Sequence, residues 1–373
     1  MTVPFDLGAE VRRAVENATR ELRVVNVLIA GRTGVGKSTL INAMFAGNLA
    51  ETGQGRPVTM STREYWKEGI PIRIFDTRGL EAAAYSETLE ELRKHIASRA
   101  NDPNPDRHIH IAWVCIAEDS RRVEDAEVQM HEMLARHVPV VGVVTKSRSD
   151  QGFKAVVQEL LPLARNVARV RAIREELDDG HALEPMGLAS LVELTLTLVP
   201  ESHRRAFVAA QKASIEAKRD HARSIVATAA VTAAGLAAVP LPVADAVMIV
   251  PVQIGMIAGI SSTFGLDLSV GTISTIVTSF VGAGAATVAG RWIVASLLKL
   301  FPGIGSVLGG LISAATAGTL TTTLGETYVR VLCTLFEVSG GETPTAEQVA
   351  TGFHEALTSA GLAPGSVTTG SDT

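Results

Sequence analysis

Gly31-Arg32-Thr33-Gly34-Val35-Gly36-Lys37-Ser38 decides how the first half of the chain reads. It fits G-x-x-x-x-G-K-[ST], a glycine-rich turn that cradles phosphates with backbone N–H groups. Its surroundings fit as well. Val24-Val25-Asn26-Val27-Leu28-Ile29-Ala30 predicts a buried strand leading in, and Thr39 to Ala46 predicts a helix leading out. A strand, a tight turn and a helix N-terminus together favour bound anions. The glycines let the backbone wrap closely, Lys37 is placed to reach the β- and γ-phosphates, and Ser38 is placed to hold Mg²⁺.

The rest of the chain bounds this reading. Its 373 residues allow two domains, or three. A net charge of −5 gives no reason to expect nucleic acid as a partner. Cys115 and Cys333 lie far apart in apolar runs, which predicts buried thiols with neither a disulfide framework nor a metal site. Met1 to Asp6 lacks a basic start followed by an apolar run, so no secretory signal is expected and the cytoplasmic side is the default.

Beyond the loop, Ile72-Arg73-Ile74-Phe75 predicts a second strand ending in Asp76-Thr77-Arg78-Gly79. An Asp at a strand tip can hold Mg²⁺, and the N–H of the following Gly79 can sense a γ-phosphate. Between them Gly55-Arg56-Pro57-Val58-Thr59 has the composition of a mobile switch. Thr59 is the preferred hydroxyl to close over Mg²⁺ and the γ-phosphate, with Thr62 as its rival. Strands are expected at His110 to Ile116 and Val138 to Val144, and helices at Ala82 to Ala100 and Asp125 to Arg136. That alternation predicts a mainly parallel sheet covered on both faces. Trp113 and Cys115 are expected in its core. His95, His108, His110, His131 and His137 show no metal-ligand spacing and read as surface or strand-end residues.

Over roughly Asn26 to Pro200 this combination resembles the translation-factor class of P-loop GTPases, in particular the Era-like group. The resemblance implies GTP/GDP and Mg²⁺ as cofactors, with Gly31, Arg32, Thr33, Gly34, Val35, Gly36, Lys37, Ser38 and Thr39 around the phosphates. It implies Ser38, Thr59 and Asp76 at the metal, and Lys37, Thr59 and Gly79 in catalysis. The base-reading motif of that class, [NT]-K-x-D, falls at Thr145-Lys146-Ser147-Arg148. Thr145 and Lys146 match, but Arg148 stands where the Asp belongs. Asp150 is the candidate substitute through a longer loop, and ATP stays open as an alternative. Arg171-Ala172-Ile173 is the guess for the last base-contacting segment. Leu80 stands where a water-orienting glutamine would be, and Gly34 where potassium-using relatives carry Asn, so turnover should be slow unless a homodimer or protein activator completes the site.

The chain changes character near residue 224. Ser224 to Ala244, Ala246 to Leu266, Leu268 to Gly290 and Leu300 to Gly325 carry no charged residue. They are long enough to reach across a bilayer but rich in Gly, Ala, Ser and Thr. The basic residues Arg204, Arg205, Lys212, Lys218, Arg219 and Arg223 precede them, as on the cytoplasmic flank of a membrane segment or on a solvated helix face. Asp245 and Gln253 read as residues that cap a broken helix or bond a neighbour. Gly282, Gly284, Gly290, Gly305 and Gly309 read as close helix contacts. Lys212 to Phe336 resembles the YcjF-type domain of unknown function.

The expected organisation is an N-terminal helix (1–23), an α/β P-loop GTPase domain (24–200), a basic linker helix (201–223), an all-α, Gly/Ala-rich apolar domain (224–339), a C-terminal helix (340–360) and a disordered tail (361–373). Thr343 and Pro344 are expected to open the C-terminal helix. The function expected is a slowly hydrolysing GTP-binding switch acting at the cytoplasmic face of a membrane, with a soluble nucleotide-binding scaffold as the alternative.

Overall fold

In a computed structural model, the described residues are 6–47, 49, 54–57, 62–77, 85–238, 245–281 and 314–359. They form two compact units. One runs from Leu22 to Ala217, and the other joins the described residues up to Glu21 to those from Lys218 onward.

The first unit is built on a seven-stranded sheet. Its strands are β1 (Val25–Ala30), β2 (Gln54–Pro57), β3 (Thr62–Trp66), β4 (Ile72–Thr77), β5 (Ile111–Ala117), β6 (Val140–Thr145) and β7 (Asn166–Arg169). Their spatial order is β2-β3-β4-β1-β5-β6-β7. β4, β1, β5, β6 and β7 pair in parallel, whereas β2 and β3 add an antiparallel edge. β1, β5 and β6 are buried along their full length, which explains their near-continuous apolar sequences. Gly55 to Pro57, expected within a switch loop, form β2; β3 is a strand that the apolar pattern does not announce.

Helices α2 (Lys37–Met44), α3 (Tyr85–Ala100), α4 (Asp125–Ala135), α5 (Phe153–Leu160), α6 (Leu188–Leu198) and α7 (Glu201–Ala210) complete this unit. The apolar side chains divide into two cores, one containing Trp113 and Phe207, the other Phe75, Met130 and Phe153. Parallel crossovers place a helical layer on each face. Trp113 stacks on Phe45 at 5.9 Å, meets Phe207 edge-on, and donates its indole N–H to the Thr195 hydroxyl at 3.2 Å. Phe207 belongs to α7, so the stretch expected as the start of a basic linker packs into this core. The end of α7 is pinned again by Ala46 N–H to Ala210 O (3.1 Å) and Lys212 N–H to Met44 O (2.9 Å).

One expectation about histidines is corrected here: His131 is fully buried within α4. His110 stands at a strand end, directly before β5, and is buried against His203, the ring centres 3.9 Å apart. His110 Nδ1 accepts the Asn26 N–H at 2.9 Å, which leaves Nε2 to donate to Pro105 O at 3.1 Å. The neutral ring suits that pattern, and burial, followed by the nearby His203, lowers its pKa to about 4.

The second unit holds α1 (Leu7–Glu21), most of α8 (Ile215–Ala237), α9 (Asp245–Thr263), α10 (Val270–Val281), α11 (Ala314–Val338) and α12 (Ala346–Ser359). α1 packs on α9 and α10 and buries Val11, Ala14 and Ala18, a helical-period stripe. Helices approach closely at Gly325: a Cβ there would stand 2.6 Å from Val226 and 2.9 Å from Met256. The glycines singled out in sequence, 282 to 309, lie outside the described residues. Gln253 bonds a neighbour as expected, donating to Thr321 Oγ1 at 3.3 Å, and Tyr328 pairs with Ser261 at 2.8 Å. No described helix is long and apolar enough to cross a membrane. The start of α12 differs from expectation. Thr345 is its cap, accepting the Gln348 N–H while the Gln348 side chain accepts the Thr345 N–H at 2.9 Å, a reciprocal capping box two residues beyond Thr343.

Candidate functional site

The C-terminal ends of β1, β4, β5, β6 and β7 open on one edge of the sheet, with β1 between β4 and β5. Ligands in open α/β sheets bind at such an edge. The phosphate loop leaves β1 there. Gly31, Gly34 and Gly36 have φ of 148°, 80° and 96°, and Gly36 opens α2 from the left-handed region. Gly31 is required on two counts, because a Cβ there would stand 2.5 Å from the Cys115 carbonyl oxygen of β5. Arg32, Thr33 and Gly34 are exposed while Val35 is buried beneath them. Lys37, the first residue of α2, folds back across the loop. Its buried ammonium donates to Gly31 O at 2.8 Å and Arg32 O at 3.0 Å. Ser38 and Thr39 are exposed on the first turn. Arg32 is turned aside, paired with Glu124 at 3.1 Å.

Asp76 comes to the same place on β4, in register with Ile29 of β1 and Arg63 of β3. It is 8 % exposed, and its Oδ1 finds no hydrogen-bond partner among the described residues. Burial pushes its carboxyl up to about 6, against the pull of Lys37 and Arg63. A buried carboxylate oxygen without a donor among the described residues fits a hard divalent cation, and the Lys37 whose charge acts on it directly precedes the exposed Ser38 in α2. Thr62, the rival to Thr59, is buried opposite Thr77 in the β3–β4 ladder. Thr59, Arg78, Gly79 and Leu80 lie outside the described residues.

A recess of about 420 Å³ continues from the helix end of the loop. Gly36, Thr39 and Leu40 line it together with Asp119, Thr145, Lys146, Arg148 and residues 170–175. The guessed segment Arg171-Ala172-Ile173 therefore lines the same recess as Thr145 and Lys146. Thr145 is a strut: its hydroxyl donates to Val35 O at 2.6 Å and also lies 3.2 Å from Ile116 O. Lys146, in the left-handed region at φ 51°, pairs with Asp119 at 3.0 Å.

Asp150 does not line the recess. Its carboxylate accepts the Lys154 N–H at 2.9 Å at the start of α5 and lies 3.4 Å from Arg169 Nε. Three acidic residues escaped the sequence reading. Buried Glu118 accepts the N–H groups of Arg148 and Ser149, both at 2.8 Å, and the Arg169 guanidinium at 2.9 Å. Burial pushes its carboxyl up, yet those donors outweigh it and leave the pKa below the usual range. Asp119 and Glu175 face the recess. Their signal was position: Glu118 and Asp119 directly follow the end of β5, where ligands gather. Glu175 offered none, lying inside the charged run Arg174-Glu175-Glu176.

The fold and this edge define a P-loop nucleotide-binding domain. Residues 26–146 match the family model described as "50S ribosome-binding GTPase", and 202–357 match "Domain of unknown function (DUF697)". The chain thus joins an Era-like P-loop GTPase domain to a DUF697 domain. It is 27% identical over 181 residues to the tRNA modification GTPase MnmE of Paracidovorax citrulli, covering 43% of this chain and 34% of that protein. It is 26% identical over 203 residues to the GTPase Era of Neisseria meningitidis, covering 52% of this chain and 61% of that protein. The chain thus spans about a third of the one and three fifths of the other. Among solved structures, the probable GTP-binding protein engB aligns over 48% of this chain and 99% of its own at 17% identity, with a TM-score of 0.31.

Proposed function

We propose that the chain binds GTP and GDP with Mg²⁺ and hydrolyses GTP slowly, as a nucleotide-controlled switch whose output is the helical unit. The observation that carries this is the phosphate cradle: three left-handed glycines and the buried Lys37 on one side, and on the other an Asp76 oxygen with no hydrogen-bond partner among the described residues. In it Lys37 supplies positive charge to the phosphates, the loop N–H groups supply donors, and Ser38, Thr59 and Asp76 would hold the cation. The cation supplies charge neutralisation at the phosphates when bound. Gly79 would present its N–H to the γ-phosphate. Leu80 offers no group to orient water, which supports slow turnover and a requirement for a second protomer or an activator.

The output is proposed at the cytoplasmic face of a membrane, supported by the uncharged runs after residue 224 and the basic residues before them. The alternatives remain a soluble scaffold that recruits a protein, or an ATPase.

Phosphate release from GTP by the full chain, with a fluorescent-nucleotide titration, tests the first reading. Turnover should be slow, Mg²⁺-dependent and insensitive to potassium. No triphosphate binding at all would overturn it. Co-sedimentation with anionic liposomes in the GDP state and with a non-hydrolysable GTP analogue tests the second. A chain that ignores liposomes in both states leaves the scaffold reading.

A further inference from the structure

We infer that Glu175, oriented by Arg148, is the residue with which this chain discriminates among nucleobases; the inference rests on reading the recess as the base end of the nucleotide site. The argument begins with what position 148 cannot do. A guanidinium has donors only, so Arg148 cannot accept the hydrogen bonds that a guanine offers from N1–H and its 2-amino group. Arg148 instead grips a carboxylate. Its Nε donates to Glu175 Oε2 at 2.9 Å, and its Nη2 donates to Oε1. This two-point pairing fixes the plane of the carboxylate. Each carboxylate oxygen can accept two hydrogen bonds, so one site on each stays open. The pair thus returns to this corner the acceptor charge that Arg148 removes from it.

The loop that carries Glu175 is anchored as a specificity element needs to be. Glu175 opens a short ladder, β8 (Glu175–Glu176) with β9 (Ala182–Leu183), inside the long connection from β7 to α6. Arg171 ties that connection down, donating to Ser147 O at 2.8 Å and to Glu184 O at 2.7 Å. The Arg171–Met186 bridge closes its base.

The competing carboxylates are less suited. Asp150 is taken up by α5 and Arg169. Asp119 pairs with Lys146 and has 55 % of its side chain exposed, against 30 % for Glu175. Arg148 also lowers the Glu175 pKa, so the group remains an ionised acceptor at neutral pH. Two adjacent N–H donors of guanine suit such a carboxylate. Adenine turns a lone pair at N1 toward the same place, and an acceptor facing an acceptor gains no hydrogen bond there and is penalised.

The test is competition of GDP, xanthosine diphosphate and ADP against a fluorescent guanine nucleotide, with Mg²⁺, on the full chain. Glu175→Gln should weaken GDP about 10–100-fold, leave ADP within a few-fold, and improve xanthosine diphosphate, whose 2-oxo group can accept from the new amide. Arg148→Asp in the Glu175→Gln background should restore GDP preference, because it returns a carboxylate to the corner. This rescue keeps the test decisive if the single variant is poorly folded. A wild-type chain that binds GDP and ADP equally would remove the base-site reading itself. A wild-type preference for GDP that survives Glu175→Gln, or that Asp119→Asn abolishes instead, overturns the assignment to Glu175.

Discussion

The Thr145 hydroxyl lies 2.6 Å from the Val35 carbonyl oxygen, joining the end of β6 to the middle of the phosphate loop. A residue that the motif places at the base therefore also sets the loop. Thr145→Val removes the donor and leaves a buried carbonyl unpaired, at about 1–3 kcal/mol. Calorimetric titration should show GDP affinity falling about tenfold, with a lower melting temperature.

Lys37→Ala and Ser38→Ala should both impair triphosphate binding, for different reasons. Lys37 supplies the buried charge at the loop, whereas Ser38 is exposed and can be altered with little effect on folding. Titrations with and without Mg²⁺ should show weak binding throughout for Lys37→Ala, and loss only of the Mg²⁺-dependent gain for Ser38→Ala. Wild-type affinity in both variants removes the phosphate-loop assignment.

Gly31 and Gly34 should respond unequally to alanine. At Gly31 the new methyl meets the Cys115 carbonyl, so the sheet itself must shift. A cost of about 2–4 kcal/mol follows. At Gly34 nothing lies within 4 Å and only the positive φ opposes the change, about 1–2 kcal/mol. Urea unfolding followed by tryptophan fluorescence separates the two. Equal losses contradict the close approach of β1 and β5.

Acid should weaken the first unit in a defined window. Burial lowers the pKa of His95 and His110 to about 4 and also depresses His131 and His203. The unfolded chain therefore binds more protons between the ordinary value of 6.5 and about 4. The stability these neutral rings contribute is complete above 6.5 and is lost as pH falls toward 4. Asp76 and Glu127, pushed upward by burial, act in the opposite sense and soften the fall. Neither ring nitrogen of His131 has a hydrogen-bond partner among the described residues. His131→Leu should therefore reduce the acid loss at no cost at pH 8. Urea midpoints at pH 8, 6.5 and 5 check this.

Lys218 carries the matching prediction for the helical unit. It is buried, within 5.4 Å of the Phe336 ring centre, and donates to Thr263 O at 3.1 Å. Burial lowers its pKa from 10.5 to about 7. Stability of this unit should therefore rise from pH 7 toward 10.5 as the penalty on the charged form disappears. Lys218→Met should raise the melting temperature at pH 7 and flatten that slope, as when apolar groups replace a buried charge. A lower melting temperature at pH 7 with the slope intact would show that the ammonium itself stabilises the fold.

The phosphate loop, Asp76 and the central strands were legible because their signals are local. Runs such as Val140 to Thr145 can only be buried, and the loop pattern fixes its own glycines. The Glu175–Arg148 pair was not legible, since its partners are 27 residues apart and meet only through the long β7–α6 connection. α7 misled for a related reason: its Arg204 and Arg205 advertise a solvated helix, while Phe207 on the same helix fills the core beside Trp113. β2 and β3 were hidden because Gly55 and Pro57 read as loop residues and only the β4 edge recruits them.

Because α1 packs with α9 and α10, the nucleotide-binding unit is inserted within the helical one. During synthesis α1 leaves the ribosome before α9 and α10 and must wait for more than two hundred further residues before these packing partners exist. Its apolar stripe, Val11, Ala14 and Ala18, is bare for that interval and is a natural target for a chaperone. The insertion also holds both ends of the nucleotide-binding unit. Fusions or cuts at residue 22 should therefore disturb α9 and α10, which follow the whole inserted unit in the chain.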